Sequence, residues 1–191
     1  MLTWIVRALA IAVIAVATIV VLDFAELLVE VEPDDAQSMA NTIPPCDGRV
    51  LAQGLTYRLT DPEPGHVVAV HAAVTDEGEI VPDRDADDRT LVLRVAAGPG
   101  DEIVARAGSV FVNDVKFDDI TTEPFGPLTV PNEQYFLLGD NRSVAIDSRT
   151  FGPVLENTIF ARVFMVYWPV RDLTFRLGPG SGAPPGKVAC D

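Results

Sequence analysis

Residues 2–22, LTWIVRALAIAVIAVATIVVL, carry one charge, Arg7. As a helix rising ~1.5 Å per residue, this run reaches roughly 30 Å, the thickness of a bilayer's hydrocarbon core. It predicts an uncleaved transmembrane anchor over residues 1–22. Arg7 lies near the start, where its long side chain can reach the interface, and Trp4 suits an interfacial anchor. The first acid is Asp23, followed by Glu26, Glu30, Glu32, Asp34 and Asp35. Positive charge before the span and none just after it places the N-terminus in the cytoplasm and the rest outside. The expectation is a single-pass protein of the cell membrane, with the lipid bilayer as one partner. A cleaved signal peptide fits less well, because no small-x-small cleavage site follows Leu22 before the acidic run.

The whole chain has 191 residues, enough for the anchor and one domain. Its net charge of −14 excludes nucleic acid as a partner, since phosphate binding needs clustered Lys and Arg. With two His and two Cys at unsuitable spacing, a closed zinc site is excluded as well.

Beyond the anchor, residues 23–36 read as an acidic neck. From residue 37 the pattern is β-like: Val50–Leu59, Val67–Val74, Thr90–Ala97, Glu102–Arg106, Ser109–Val112, Tyr135–Leu138 and Ile159–Tyr167 are short runs of β-branched, Leu and aromatic residues. Turn signals separate them, among them Pro62 to Gly65, Gly98-Pro99-Gly100-Asp101, Asn113-Asp114 and Pro124 to Pro127. The fold class predicted is an all-β core of coiled antiparallel sheets over residues 37–177, preceded by one transmembrane helix. Residues 178–191 read as a flexible tail. Within the acidic stretch 76–88, Asp83, Asp85 and Asp87 resemble the start of a calcium loop, but the sixth position counted from Asp83 is Asp88 rather than Gly and the twelfth is Arg94 rather than Glu. It reads as a solvated loop between strands.

Three segments carry candidate chemistry. Ser38-Met39-Ala40-Asn41-Thr42-Ile43 places a serine in a loop just past the neck. Leu93-Arg94-Val95 leads to Pro99-Gly100-Asp101, a strand running into a tight turn. Gly139-Asp140-Asn141-Arg142, followed by Asp147-Ser148-Arg149, is a polar loop after a strand, in which Asp147 can pair with Arg149, or Asp140 with Arg142. Cys46 and Cys190 both fall on the outer side, where an oxidising compartment permits a disulfide between them; two independent thiols are the alternative.

Taken in order behind one anchor, these segments resemble the type I signal peptidases. That family's patterns are S-M-x-P-T-L, G-D-x-V-V, K-R-V-x-x-x-P-G-D and G-D-N-R-x-x-S-x-D-S-R, and the likeness covers residues 38–168. The resemblance implies a membrane-anchored serine endopeptidase with a mostly β catalytic core. Such enzymes remove signal peptides from exported preproteins after small residues at positions −1 and −3, with a Ser–Lys dyad and no cofactor. It makes Ser38 the nucleophile, whose own N–H joins the oxyanion hole, and Met39, Arg94, Asp140, Asn141, Arg142, Asp147 and Arg149 the residues that shape the site.

The match breaks where the base belongs. Counting back from Pro99-Gly100-Asp101, the family's Lys falls on Leu93, and a hydrocarbon takes no proton. Arg94 is next in sequence, but a guanidinium is no proton acceptor and points to the other face of the strand. The chain's two lysines, Lys116 and Lys187, lie far away in sequence. The family's Pro is Asn41, its Gly before Asp47 is Cys46, and the Ser that orients the Lys amine is Ala145. His66 and His71 are alternative bases; five residues apart, they face opposite sides of a regular strand. Two function classes stay open: a signal peptidase I-like serine peptidase with a different base, and a catalytically silent homologue that binds extended peptide segments without cleaving them.

Overall fold

A computed structural model describes residues 28–30, 37–46, 48–54, 56–58, 60–86, 89–170, 173–175 and 177, with residues 4, 7, 11, 13 and 14 near the N-terminus. Those last five are helical and exposed, Trp4 and Ile11 among them. The rest of the anchor expected over 1–22 and the tail expected over 178–191 lie outside the described residues. No helix among the described residues is long and apolar enough to cross a membrane.

Alternating apolar and polar residues make strands because successive side chains point to opposite faces. Twelve strands are described: β1 (Leu28–Glu30), β2 (Arg49–Gln53), β3 (Val67–Val74), β4 (Ile80–Pro82), β5 (Arg89–Ala97), β6 (Glu102–Arg106), β7 (Ser109–Val112), β8 (Val115–Lys116), β9 (Phe125–Thr129), β10 (Gln134–Leu138), β11 (Val154–Leu155) and β12 (Ile159–Trp168). They form two antiparallel sheets. The larger runs β1-β2-β12-β3-β5-β10-β11, with β4 added to β3; the smaller runs β8-β7-β6-β9. The core is all-β and antiparallel.

Central strands β3 and β5 are buried on both faces. Val67, Ala69 and Val92 join Met39, Ile43 and Val163 in one hydrophobic cluster. Val68, Val70, Leu91, Leu93 and Val95 join Leu137 and Tyr135 in a second. A third cluster, with Ala97, Ile103, Val110 and Phe136, binds the small sheet to the end of β5 and β10.

Within residues 23–36, Leu28–Glu30 pairs with β2 at the edge of the larger sheet. Three sequence expectations need correction. The strand expected over Val50–Leu59 ends at Gln53; a Cβ on Gly54 would lie 3.3 Å from the Phe160 carbonyl oxygen, and Thr56–Arg58 turns as a 3-10 helix. Of the turn expected at Pro124 to Pro127, residues from Phe125 onward belong to β9, an edge strand, where the missing N–H of Pro127 is tolerated. The loop 76–88 contains β4, which pairs with the outer end of β3.

Candidate active site

Ser38 sits in a 3-10 turn, Gln37–Met39, that closes on itself: Thr42 and Ile43 both donate their N–H to the Met39 carbonyl, at 2.7 and 2.8 Å. Met39 and Ile43 are fully buried in the first cluster, so the turn is pinned from beneath. From the side it is stitched to the loop after β10. Asn141 donates its N–H to the Ser38 carbonyl (3.0 Å) and its Nδ2 to the Gln37 carbonyl (3.0 Å). Asn41 Nδ2 donates to the Asp140 carbonyl (2.8 Å), and Thr42 Oγ1 donates to the Asp140 carboxylate. Asn41 Oδ1 is buried with no hydrogen-bond partner among the described residues.

The loop is held in turn by ion pairs. Arg94 grips Asp140 at two points, Nε to Oδ1 at 2.8 Å and Nη2 to Oδ2 at 2.6 Å, and both side chains are essentially inaccessible to solvent. The local pairing of Asp140 with Arg142 does not form. Arg142 turns to the small sheet's flank instead, donating to Asp118 and to Thr122 Oγ1 (2.6 Å), with Nε on the Gly139 carbonyl (2.8 Å). Asp147 pairs with Arg149 at two points, accepts the Gly139 N–H at 2.9 Å and caps the one-turn helix Ser148–Phe151. Both carboxylates of this loop are therefore committed: Asp140 to the Arg94 guanidinium and the Thr42 hydroxyl, Asp147 to Arg149 and to the backbone N–H groups of Gly139 and Arg149. Gly139 is required by close approach, since a Cβ there would meet Ala145 Cβ and stand 2.6 Å from the Ser38 carbonyl oxygen.

Ser38 lines a cleft of about 280 Å³. Leu91 and Arg89 of β5 form one wall, Val74 and Ile80 of β3 and β4 another, and Val144 and Ile146 of the loop a third. Arg89 is the one ionisable side chain among these described lining residues. No hydrogen bond from a described residue reaches the Ser38 hydroxyl. Leu93 does not open onto the cleft; it is fully buried two residues along the same face of β5.

Neither histidine lines this cleft. His66 Nδ1 meets the Tyr57 hydroxyl at 3.3 Å and accepts the Glu63 N–H at 3.2 Å. Burial first, and then Arg162, hold the His66 imidazole below its usual pKa, against an opposing pull from Glu63. His71 stacks on Phe160 with ring centroids 4.1 Å apart. Lys116 pairs with Asp119 in the small sheet, at 2.6 Å. Cys46 is disulfide-bonded, and Cys190, the chain's other cysteine, lies outside the described residues. Sequence reasoning missed Arg89 and Leu91, although both share Leu93's face by the period of two. It also missed Asp118 and Thr122, whose contacts to Arg142 leave no local trace in the sequence.

The family profile described as "Signal peptidase, peptidase S26" matches residues 2–168. The chain belongs to that signal peptidase family. Among relatives, a probable signal peptidase I-2 of Synechocystis is 35% identical over 127 residues, covering 64% of this chain and 56% of the relative. Thylakoidal processing peptidase 1 of Arabidopsis thaliana is 32% identical over 76% of this chain and 44% of its own length. Signal peptidase IB of Staphylococcus aureus is 28% identical over 87% of this chain and 92% of its own. The chain thus spans about half the length of the first two. A crystal structure of a signal peptidase I from Enterococcus faecalis aligns with a TM-score of 0.41 at 23% identity, covering 52% of this chain and 94% of that one. In this family member the serine turn and the loop that braces it are built, while the cleft wall beside Ser38 is hydrocarbon and one guanidinium.

Proposed function

We propose that this chain works at the membrane surface as a signal peptidase I-like protein, taking the signal-peptide segment of exported preproteins into the Ser38 cleft. Residues 1–22 anchor it, and Ser38 Oγ is the nucleophile. The observation that carries this reading is the serine turn, pinned by Met39 and Ile43 and stitched to the Gly139–Asp147 loop at the rim of an apolar cleft. An apolar cleft suits the small side chains flanking a signal-peptide junction.

Acyl transfer needs the hydroxyl proton removed as the Oγ–C bond forms. In the resemblance, position 93 supplies the acceptor; here it is leucine packed against Val68 and Leu137. Attack by Ser38 would leave its proton to water. Loss of the base costs several orders of magnitude in rate, and backbone donors to the oxyanion, each worth ~2.7–4 kcal/mol, supply what remains.

The absence of any described base in the cleft favours a second reading, in which the chain holds an extended peptide without cleaving it. Residues 89–93 of β5 have no described strand partner on the β10 side, because that pairing begins at Arg94. An incoming segment can add there as a strand. Preprotein processing in membranes separates the two readings. Faster cleavage by the native chain than by Ser38→Ala supports the peptidase. Equal, absent cleavage in both chains, with peptide crosslinking retained, supports the silent binder.

A further inference from the structure

We propose that Asp118 and Thr122 are positioning residues of the Ser38 site, contributed by the small sheet and acting through Arg142. The inference rests on the reading of the Ser38 cleft above and adds two residues from outside the three candidate segments of the sequence. Both stand between β8 and β9, in a stretch tied firmly to the small sheet. Phe117 donates its N–H to the Val110 carbonyl (2.9 Å) and packs against the third hydrophobic cluster, and Thr122 donates its N–H to the Gly108 carbonyl (3.2 Å). The Asp118 carboxylate accepts the Ile120 N–H at 3.0 Å, and Thr122 Oγ1 donates to the Ile120 carbonyl at 3.0 Å. The other Asp118 oxygen and the hydroxyl's accepting side are then turned to Arg142, which takes both.

Arg142 passes this constraint to the nucleophile's own backbone. Its Nε holds the Gly139 carbonyl at 2.8 Å, while Asp147 holds the Gly139 N–H at 2.9 Å. Gly139 lies against the Ser38 carbonyl, and the Asn141 N–H donates to that same carbonyl at 3.0 Å. Three links therefore join the small sheet to Ser38: Asp118 and Thr122 to Arg142, Arg142 to Gly139, and the Gly139–Asn141 backbone to the serine turn. Arg94 braces the loop from β5 through Asp140, so both sheets fix it. A buried ion pair adds little net stability, because desolvation offsets most of the attraction. The Asp118 and Arg142 side chains are 1% and 2% exposed, and what such a pair supplies is a fixed direction for the guanidinium fork. Position has consequences here, since a misplacement of ~1 Å at a reacting group costs about a hundredfold in rate.

The test uses the full chain in detergent micelles. Anisotropy reads its affinity for a dye-labelled, Ala- and Leu-rich peptide, and hydrogen exchange is followed at single amides. Thr122→Val keeps the shape of the side chain and removes the hydroxyl, Thr122→Ser keeps the hydroxyl, and Asp118→Asn removes the charge. Asp119→Asn is the control, because Asp119 is exposed and pairs with Lys116 at the surface. Thr122→Val and Asp118→Asn should each weaken peptide binding about threefold or more. Each should also speed exchange of the Asn141 amide more than that of Val68 and Val70 in β3, the sign of a local loosening rather than a global one. Thr122→Ser should keep both properties native, and Asp119→Asn should change neither. Should Asp118→Asn fail to fold, the two Thr122 variants decide. Exchange that speeds equally at Asn141 and in β3 overturns the positioning role, and so does a Thr122→Ser chain as impaired as Thr122→Val. A native chain that binds no peptide overturns the cleft reading instead, while exchange at Asn141 still decides whether the small sheet holds the serine turn in place.

Discussion

Arg94 and Asp140 form a two-point ion pair that joins the middle of β5 to the loop bearing Asn141, with 1% and 0% of their side chains exposed. Such a pair gains little over a hydrocarbon isostere, but breaking one half strands a buried charge, at about 3–5 kcal/mol. Arg94→Ala and Asp140→Ala should each lower stability by that order in urea unfolding. The double variant should cost clearly less than the sum, because the two losses are one loss. Additive costs would show that the residues act separately.

Gly139 tests the join between the loop and the serine turn. A methyl group there meets Ala145 Cβ and the Ser38 carbonyl oxygen together. Gly139→Ala should push the Ser38 turn out of place and weaken peptide binding several-fold. Gly78→Ala supplies the contrast at a glycine that lines the cleft: a Cβ there meets nothing within 4 Å, although its φ of 81° strains any side chain. Equal effects on binding from both would argue that the close approach at Gly139 carries no weight.

Much of this architecture is legible in the sequence and some of it is not. Val67–Val74, Glu102–Arg106 and Ser109–Val112 are read to the residue, because apolar runs bounded by turns determine them locally. Leu28–Glu30 and Ile80–Pro82 are hidden inside acidic stretches; their pairing with β2 and β3 outweighs the composition of their surroundings. Local spacing offers Asp140 to Arg142, two residues away, but the fold gives it to Arg94, 46 residues away. A fold that brings distant strands side by side makes such partners invisible to local spacing. Arg89 was within reach by counting back two residues at a time from Leu93.

Glu156 gives stability a pH dependence of known sign. Burial raises its pKa, helped by Asp61 and Glu133. A raised carboxyl binds its proton more tightly when folded, so stability falls as pH rises through the folded-state pKa. Glu156→Gln should therefore raise the melting temperature at pH 7. The gap to the native chain should close below the ordinary Glu range, near 4.3. Glu156 helps line a separate cavity of about 400 Å³ with Tyr57 and Glu133, away from Ser38, so peptide binding should not change.

His66 acts in the opposite window. Its pKa is lowered, chiefly by burial. Above the unfolded value of about 6.5, both states are neutral and it contributes nothing to pH dependence. Below that, the unfolded chain takes up a proton that the folded chain resists, and stability declines until pH passes the folded-state value. His66→Asn should flatten the stability profile just below about pH 6.5, measured by thermal unfolding at closely spaced pH. An unchanged slope would assign that acid sensitivity to other groups.

Leu93→Lys asks whether the missing base is the only thing missing. The position is fully buried among Val68, Val70 and Leu137, so an introduced ammonium is desolvated there and its pKa is driven down toward neutrality. That is the property a general base needs, and its cost is a loss of stability of about 3 kcal/mol or more. A neutral amine still needs a partner to aim it, and residue 145, which packs toward Gly139, offers only a methyl group. Leu93→Lys alone should restore little preprotein cleavage, while Leu93→Lys with Ala145→Ser should restore more. The restored rate should rise with pH through the amine's lowered pKa and vanish with Ser38→Ala. Cleavage that appears in the double variant but survives Ser38→Ala would place the nucleophile elsewhere.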